Sequence, residues 1–143
     1  MDQGPIEDDL TDLYENAPSG FVSSLLDGTI VKINDRLLGW LGYRRDEVVG
    51  VRRFADLLSG GSRVYHETHL APLLHMQGEV TGIAVDLRAA DGSRMPALLT
   101  SGVRPAGEGR PALIRTTLLD ARDRRAYERE LLAARRAASS SRT

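Results

Sequence analysis

The sequence contains no cysteine. Disulfides, thiolate metal centres and cysteine nucleophiles are excluded together. Aromatic side chains are scarce at 5% of the chain, with one tryptophan and two phenylalanines. Lysine is nearly missing: Lys32 stands alone among arginines, which speaks of a GC-rich genome more than of a function. No charge of one sign dominates, because the formal net charge is −1 over 143 residues. The electrostatic footprint of a nucleic-acid binder is therefore absent. No apolar run approaches the roughly 20 residues that span a bilayer. The acidic, polar first residues do not read as a secretory signal. The expectation is a cytoplasmic protein with no membrane or nucleic-acid partner.

The remainder is ordinary for a soluble globular protein, at 41% hydrophobic and 27% charged, and long enough for one domain with a real core. Leu10, Leu13, Tyr14 and Ala17 fall at helical intervals until Pro18-Ser19-Gly20 stops them. Two β-type runs, 21–26 and 29–33, flank Asp27-Gly28 and predict a hairpin. Asn34 is placed to cap a short helix over 35–41, closed by Gly42. Further helical turns are expected over 43–50 and 54–58. A longer helix opens at Ser62 and runs toward Leu74, with Pro72 expected to kink or end its regular part. Period-two patterning then predicts three strands. The first carries Ile83, Val85 and Leu87 on one face, the second spans 95–103 and the third spans 112–119. Pro96 is expected at a strand start or an unpaired position. Asp120 ends the last strand and caps a charged helix over 121–138.

That order of elements, with its local motifs, resembles a PAS domain. Glu15 to Gly20 resembles the entry into the first strand of that family, and Asp27 to Asn34 its first hairpin and asparagine. Leu41-Gly42-Tyr43 followed by Glu47 and Gly50 resembles its "LGY…E…G" signature. Asp91-Gly92-Ser93 resembles its second hairpin, and Asp120-Ala121-Arg122 stands where Asp-Ile-Thr is usual. The stretch 65–78, with 124–132, is similar to PAS modules that precede PP2C-type phosphatase, diguanylate cyclase or histidine kinase outputs in bacterial signalling proteins. The resemblance implies an α+β fold: a five-stranded antiparallel sheet with short helices on one face, plus flanking N-terminal and C-terminal helices. The expected division is a flexible N-terminus over 1–9, a sensor domain over 10–119, an output helix over 120–138 and a tail over 139–143.

All three histidines, His66, His69 and His75, lie on the longer helix. His66 and His69 share one side of a helix, yet they supply only half of a zinc set and no cysteine completes it. Some PAS proteins hold haem through a histidine in this region, and nothing else here favours it. Cysteine-adduct flavin photochemistry is excluded. Val64, Leu70, Leu73, Leu74 and Met76 are expected to form one buried face, with His69 as a hydrogen-bonded inner histidine and the other two toward water. The resulting pocket walls would be Trp40, Phe54, Tyr65, His69, Leu73 and Val85, around a small organic ligand. Asp120, Arg122, Tyr127 and Leu131 are the expected joint and seam of signal transmission, in a homodimer that acts on an output domain or signalling partner. The alternatives are a ligand-free interaction adaptor, a haem sensor, or a small α+β enzyme using His69 with Glu67 or Asp86. No nucleophile motif, metal set or phosphate loop supports catalysis.

Overall fold

The computed structural model describes residues 9–140, within which the side chains of 124–127 and 139–140 lie outside the description. The expected flexible start, residues 1–8, and the last tail residues, 141–143, fall outside it as well. The chain forms a five-stranded antiparallel sheet in the order β2-β1-β5-β4-β3. Its strands are β1 Gly20–Ser24, β2 Ile30–Ile33, β3 Glu79–Arg88, β4 Arg94–Arg104 and β5 Leu113–Asp120. One face carries Val22, Leu87, Met95, Leu99 and Leu118 into the core. The other carries Phe21, Lys32, Leu98 and Thr117 outward, as the period of two requires.

Short helices cover the inner face. Asn34 caps α2, Asp35–Leu41, through a bond from the Leu37 amide at 3.1 Å, and Gly42 closes the helix at φ 77°. Asn34 does more than cap. Fully buried, it also accepts from the Phe21 amide at 2.9 Å and donates to the carbonyls of Tyr14 and Ser19 at 2.8 and 3.0 Å. One side chain thus joins α1 (Leu10–Glu15), β1 and α2. Where α2 crosses β1 the backbones approach closely. A Cβ at Gly20 would stand 3.1 Å from Leu37 and Trp40, so only glycine fits without displacement.

A short helix α3, Arg45–Val48, and a 3₁₀ turn, Phe54–Leu57, lead to the long helical stretch. That stretch begins as α4, Gly60–Tyr65, widens to π geometry over His66–Leu70 and resumes as α5, Ala71–Gln77. Pro72 does not end it. It falls at the second residue of α5, where its missing N–H leaves little unsatisfied, and the turn before it widens instead. The Ser59 amide donates to the Asp86 carbonyl, and the Asp86 amide to the Ser62 hydroxyl, both at 2.9 Å. These bonds tie the start of the stretch to β3. Its buried line is Leu70 and Leu74; the expected members Val64 and Met76 are 61% and 83% exposed. The face thus differs from the expected one.

On β3 a bulge between Val80 and Ile83, with Gly82 at φ 67°, shifts the alternation by one residue. Val80 and Val85 therefore both point into the core despite their odd spacing. Pro96 sits near the start of β4, opposite Asp86, and its carbonyl accepts the Ala121 amide at 3.0 Å. The C-terminal helix α6 spans Arg122–Ser140, two residues beyond the expected end. Among the described residues, no helix is long and apolar enough to cross a membrane.

Candidate functional site

A cavity of about 280 Å³ opens between the sheet's inner face and the π segment. Its floor interrupts an apolar surface with hydroxyls. Ser24 on β1, Ser101 on β4 and Thr116 on β5 all point inward and are only 3–4% exposed. Ser101 and Thr116 are cross-strand partners, and their hydroxyl oxygens lie 2.7 Å apart. Ile114, Leu74 and Phe54 supply apolar wall. His66 faces Phe54 with ring centroids 5.3 Å apart. Its Nδ1 is enclosed and has no hydrogen-bond partner. Burial holds this imidazole below the usual histidine range, and Glu67 only partly offsets the effect. Asp27, Arg53, Glu67 and His75 bring mixed charge to the same lining. The Asp27 carboxyl is held low, first by the Thr29 amide and then by the Thr29 hydroxyl.

Of the six residues expected as pocket walls, Phe54 lines this cavity. Trp40 packs beside Gly20, while Leu73 and Val85 join the core elsewhere. Tyr65 and His69 lie on the outer side of the stretch, where their rings stack at 5.0 Å, and Tyr65 is 44% exposed. His69 Nδ1 meets the hydroxyl of its neighbour Thr68 at 2.7 Å. The expected inner histidine is thus His66 rather than His69. The physical reason is the line of inward residues: His66, Leu70 and Leu74 follow one another at intervals of four, whereas the expected stripe started from Val64.

The polar members of the floor escaped the sequence reading, although a signal existed. Ser24 follows Val22 by two, Ser101 follows Leu99 by two, and Thr116 precedes Leu118 by two. Each is a polar residue at an inward parity.

The donor set does not suit a metal, since no three His, Asp or Glu side chains converge among the described residues.

On the outer face of the sheet, Tyr14 of α1 stacks on Phe21 with centroids 5.8 Å apart, beneath Lys32 at 4.6 Å. Burial, which disfavours the charged phenolate, pushes the Tyr14 phenol up to about 12. At the end of β5, the Asp120 carboxylate accepts the Arg122 guanidinium at 2.7 Å and its amide at 2.9 Å. That guanidinium holds the Asp120 carboxyl below its ordinary range. Leu131 is 39% exposed on α6, and the Tyr127 side chain lies outside the described residues.

A family model described as PAS domain matches residues 18–123. The chain belongs to the PAS domain family. The match takes in all five strands of this PAS domain and stops at the first residues of α6. The phosphoserine phosphatase RsbP of Bacillus subtilis (strain 168) is 28% identical over 120 residues. Those residues are 84% of this chain but 29% of that protein, so the chain spans under a third of the relative. The PAS domain of an HTR-like protein from Haloarcula marismortui superposes with a TM-score of 0.65 at 22% identity, covering 78% of this chain and 88% of that one. The PAS domain of a LuxR-family transcriptional regulator from Burkholderia thailandensis, solved in complex with ethanol, gives a TM-score of 0.63 at 21% identity, with 79% and 97% covered. These likenesses share the fold. Membership of the PAS domain family makes the chain a sensory or regulatory module.

Proposed function

We propose that this PAS domain is a cytoplasmic sensor that holds a small molecule between sheet and helices and biases its C-terminal helix accordingly. The observation that carries this reading is the cavity, with its buried hydroxyl floor and His66 in its wall. Buried polar groups are costly unless hydrogen-bonded, and the floor hydroxyls keep protons and lone pairs beyond the Ser101–Thr116 bond. A ligand that bonds to the reachable polar groups supplies further partners. The ethanol complex of the Burkholderia thailandensis PAS domain is in keeping with a small ligand.

Residues 10–119 would form the sensor unit and residues 120–138 the output helix. Occupied or not, the floor strands β4 and β5 lead directly to the α6 start, through the Ala121 amide on Pro96 and the Asp120–Arg122 pair. A shift between β4 and β5 alters the point from which α6 departs. Leu119, Leu131 and Leu132 are 39–50% exposed, and Leu10 and Leu13 of α1 are 81% and 49% exposed, which supports a homodimer built on these surfaces. The output would be a domain or partner, such as the phosphatase part of a protein like RsbP. A ligand-free adaptor is the second reading, favoured by the way Ser101 and Thr116 satisfy one another.

The test is a fragment library screened by ¹⁵N–¹H correlation spectra of the whole chain. Binders are expected to shift the amides of Ser24, His66, Ser101 and Thr116. A library that never perturbs this set contradicts the sensor and leaves the adaptor.

A further inference from the structure

The cavity also says which chemistry it accepts. It holds about 280 Å³ and lies at the small end for ligand pockets. That suits an occupant smaller than a drug-sized ligand.

Charge is the next filter. The floor offers hydroxyls alone, which donate and accept but carry no counter-charge. The one cation in the lining, Arg53, is accompanied by two carboxylates, Asp27 and Glu67. Those charges are solvent-exposed and none stands on the floor, so a buried anion and a buried cation would both face uncompensated desolvation there.

Hydrogen bonding is the last filter. Ser101 and Thr116 share one hydrogen bond, which leaves one of their two protons and several lone pairs free. Ser24 adds a third buried hydroxyl to the same patch. At the wall, Nδ1 of His66 is enclosed by protein, so Nε2 is the nitrogen within reach of an occupant. A neutral imidazole carries one N–H and one lone pair, so Nε2 offers an occupant a donor or an acceptor according to the tautomer.

We infer that the cavity takes a small uncharged molecule with two hydrogen-bonding groups, one set among the hydroxyls of Ser24, Ser101 and Thr116 and one bonding to His66. This assignment rests on the sensor reading and narrows it to hydroxy-amides, diols and related neutral polar compounds. It excludes carboxylates, amines and hydrocarbons of the same size.

Matched probes test it: lactamide, its anionic counterpart lactate, and the hydrocarbon 2-methylbutane, each titrated into the whole ¹⁵N-labelled chain. Lactamide is expected to shift the Ser24, Ser101 and Thr116 amides and to bind at least about fivefold more tightly than either other probe. His66→Phe keeps a ring in the wall and should weaken lactamide by a similar factor without strengthening lactate. Thr116→Val provides an independent loss at the floor should the first variant not fold. Lactate or 2-methylbutane binding as tightly as lactamide overturns the assignment and leaves the pocket reading intact. Equal lactamide affinity in folded His66→Phe and Thr116→Val overturns it too. If neither these probes nor the wider fragment library perturbs the cavity, the pocket reading itself falls.

Discussion

The hydroxyls of Ser101 and Thr116 lie 2.7 Å apart across β4 and β5, at positions directly paired in the sheet register. Both are buried where their strand neighbours Leu99 and Leu118 are core. A polar pair in such surroundings is satisfied only as a pair. Ser101→Ala or Thr116→Val alone leaves one buried hydroxyl without its partner, expected to cost about 1–3 kcal/mol. The double variant should cost distinctly less than the sum of the two. Urea unfolding of all four proteins in a double-mutant cycle measures this, and strict additivity would speak against the pair.

Asn34 is a second buried polar group, with all of its side-chain bonds inside the protein. Asn34→Ala removes a helix cap and strands backbone groups of α1, β1 and α2 at once. The expected loss is about 3 kcal/mol or more. Arg45, which bridges Glu15 and Asp35 near the surface, should matter far less on substitution. Similar losses at the two positions would show that Asn34 is not the hub described here.

Burial lowers the His66 pKa in the folded chain relative to its ordinary value of 6.5. Between that value and the lower folded one, the unfolded chain binds more protons than the folded chain. Stability from this group is therefore full above pH 6.5 and declines as pH falls through the folded value. His66→Phe should flatten this part of the stability profile. A profile equally steep in the variant would place the titration elsewhere.

In the proposed homodimer the exposed leucines of α6 pack against a partner helix. Leu131→Asp places charge in each copy of the seam and should move the protein toward monomer while its sheet stays folded. Analytical ultracentrifugation reads this directly. A wild type that is monomeric at high concentration rejects the dimer, and an unchanged dimer in the variant moves the contact to α1 or the outer sheet.

Much of the fold was legible because its signals are local. Asp27-Gly28 and Asp91-Gly92 announced their turns, Asn34 its cap, and period two the strands. The site was less legible, for two reasons. The pattern over 64–76 contains apolar residues on more than one side, so Val64 and Met76 suggested a face that the structure leaves exposed. That choice carried the polar role to His69, and the widened turn over His66–Leu70 that adjoins the cavity left no signal beyond Pro72. The hydroxyl floor was hidden differently. Ser24, Ser101 and Thr116 are far apart in the chain, and only the strand order β1-β5-β4 makes them neighbours.

The central claim is that occupancy of the cavity changes the departure of α6. The absence of native cysteine permits a single spin label at Ala134→Cys, and the distance between labels in the proposed dimer can be measured by pulsed electron resonance. The distribution is expected to shift when a saturating cavity binder is added, and to stay fixed in a background of Ala71→Phe, whose larger side chain occupies the cavity wall. A distribution that does not change, while the Ser101 and Thr116 amides report full occupancy, would contradict the account.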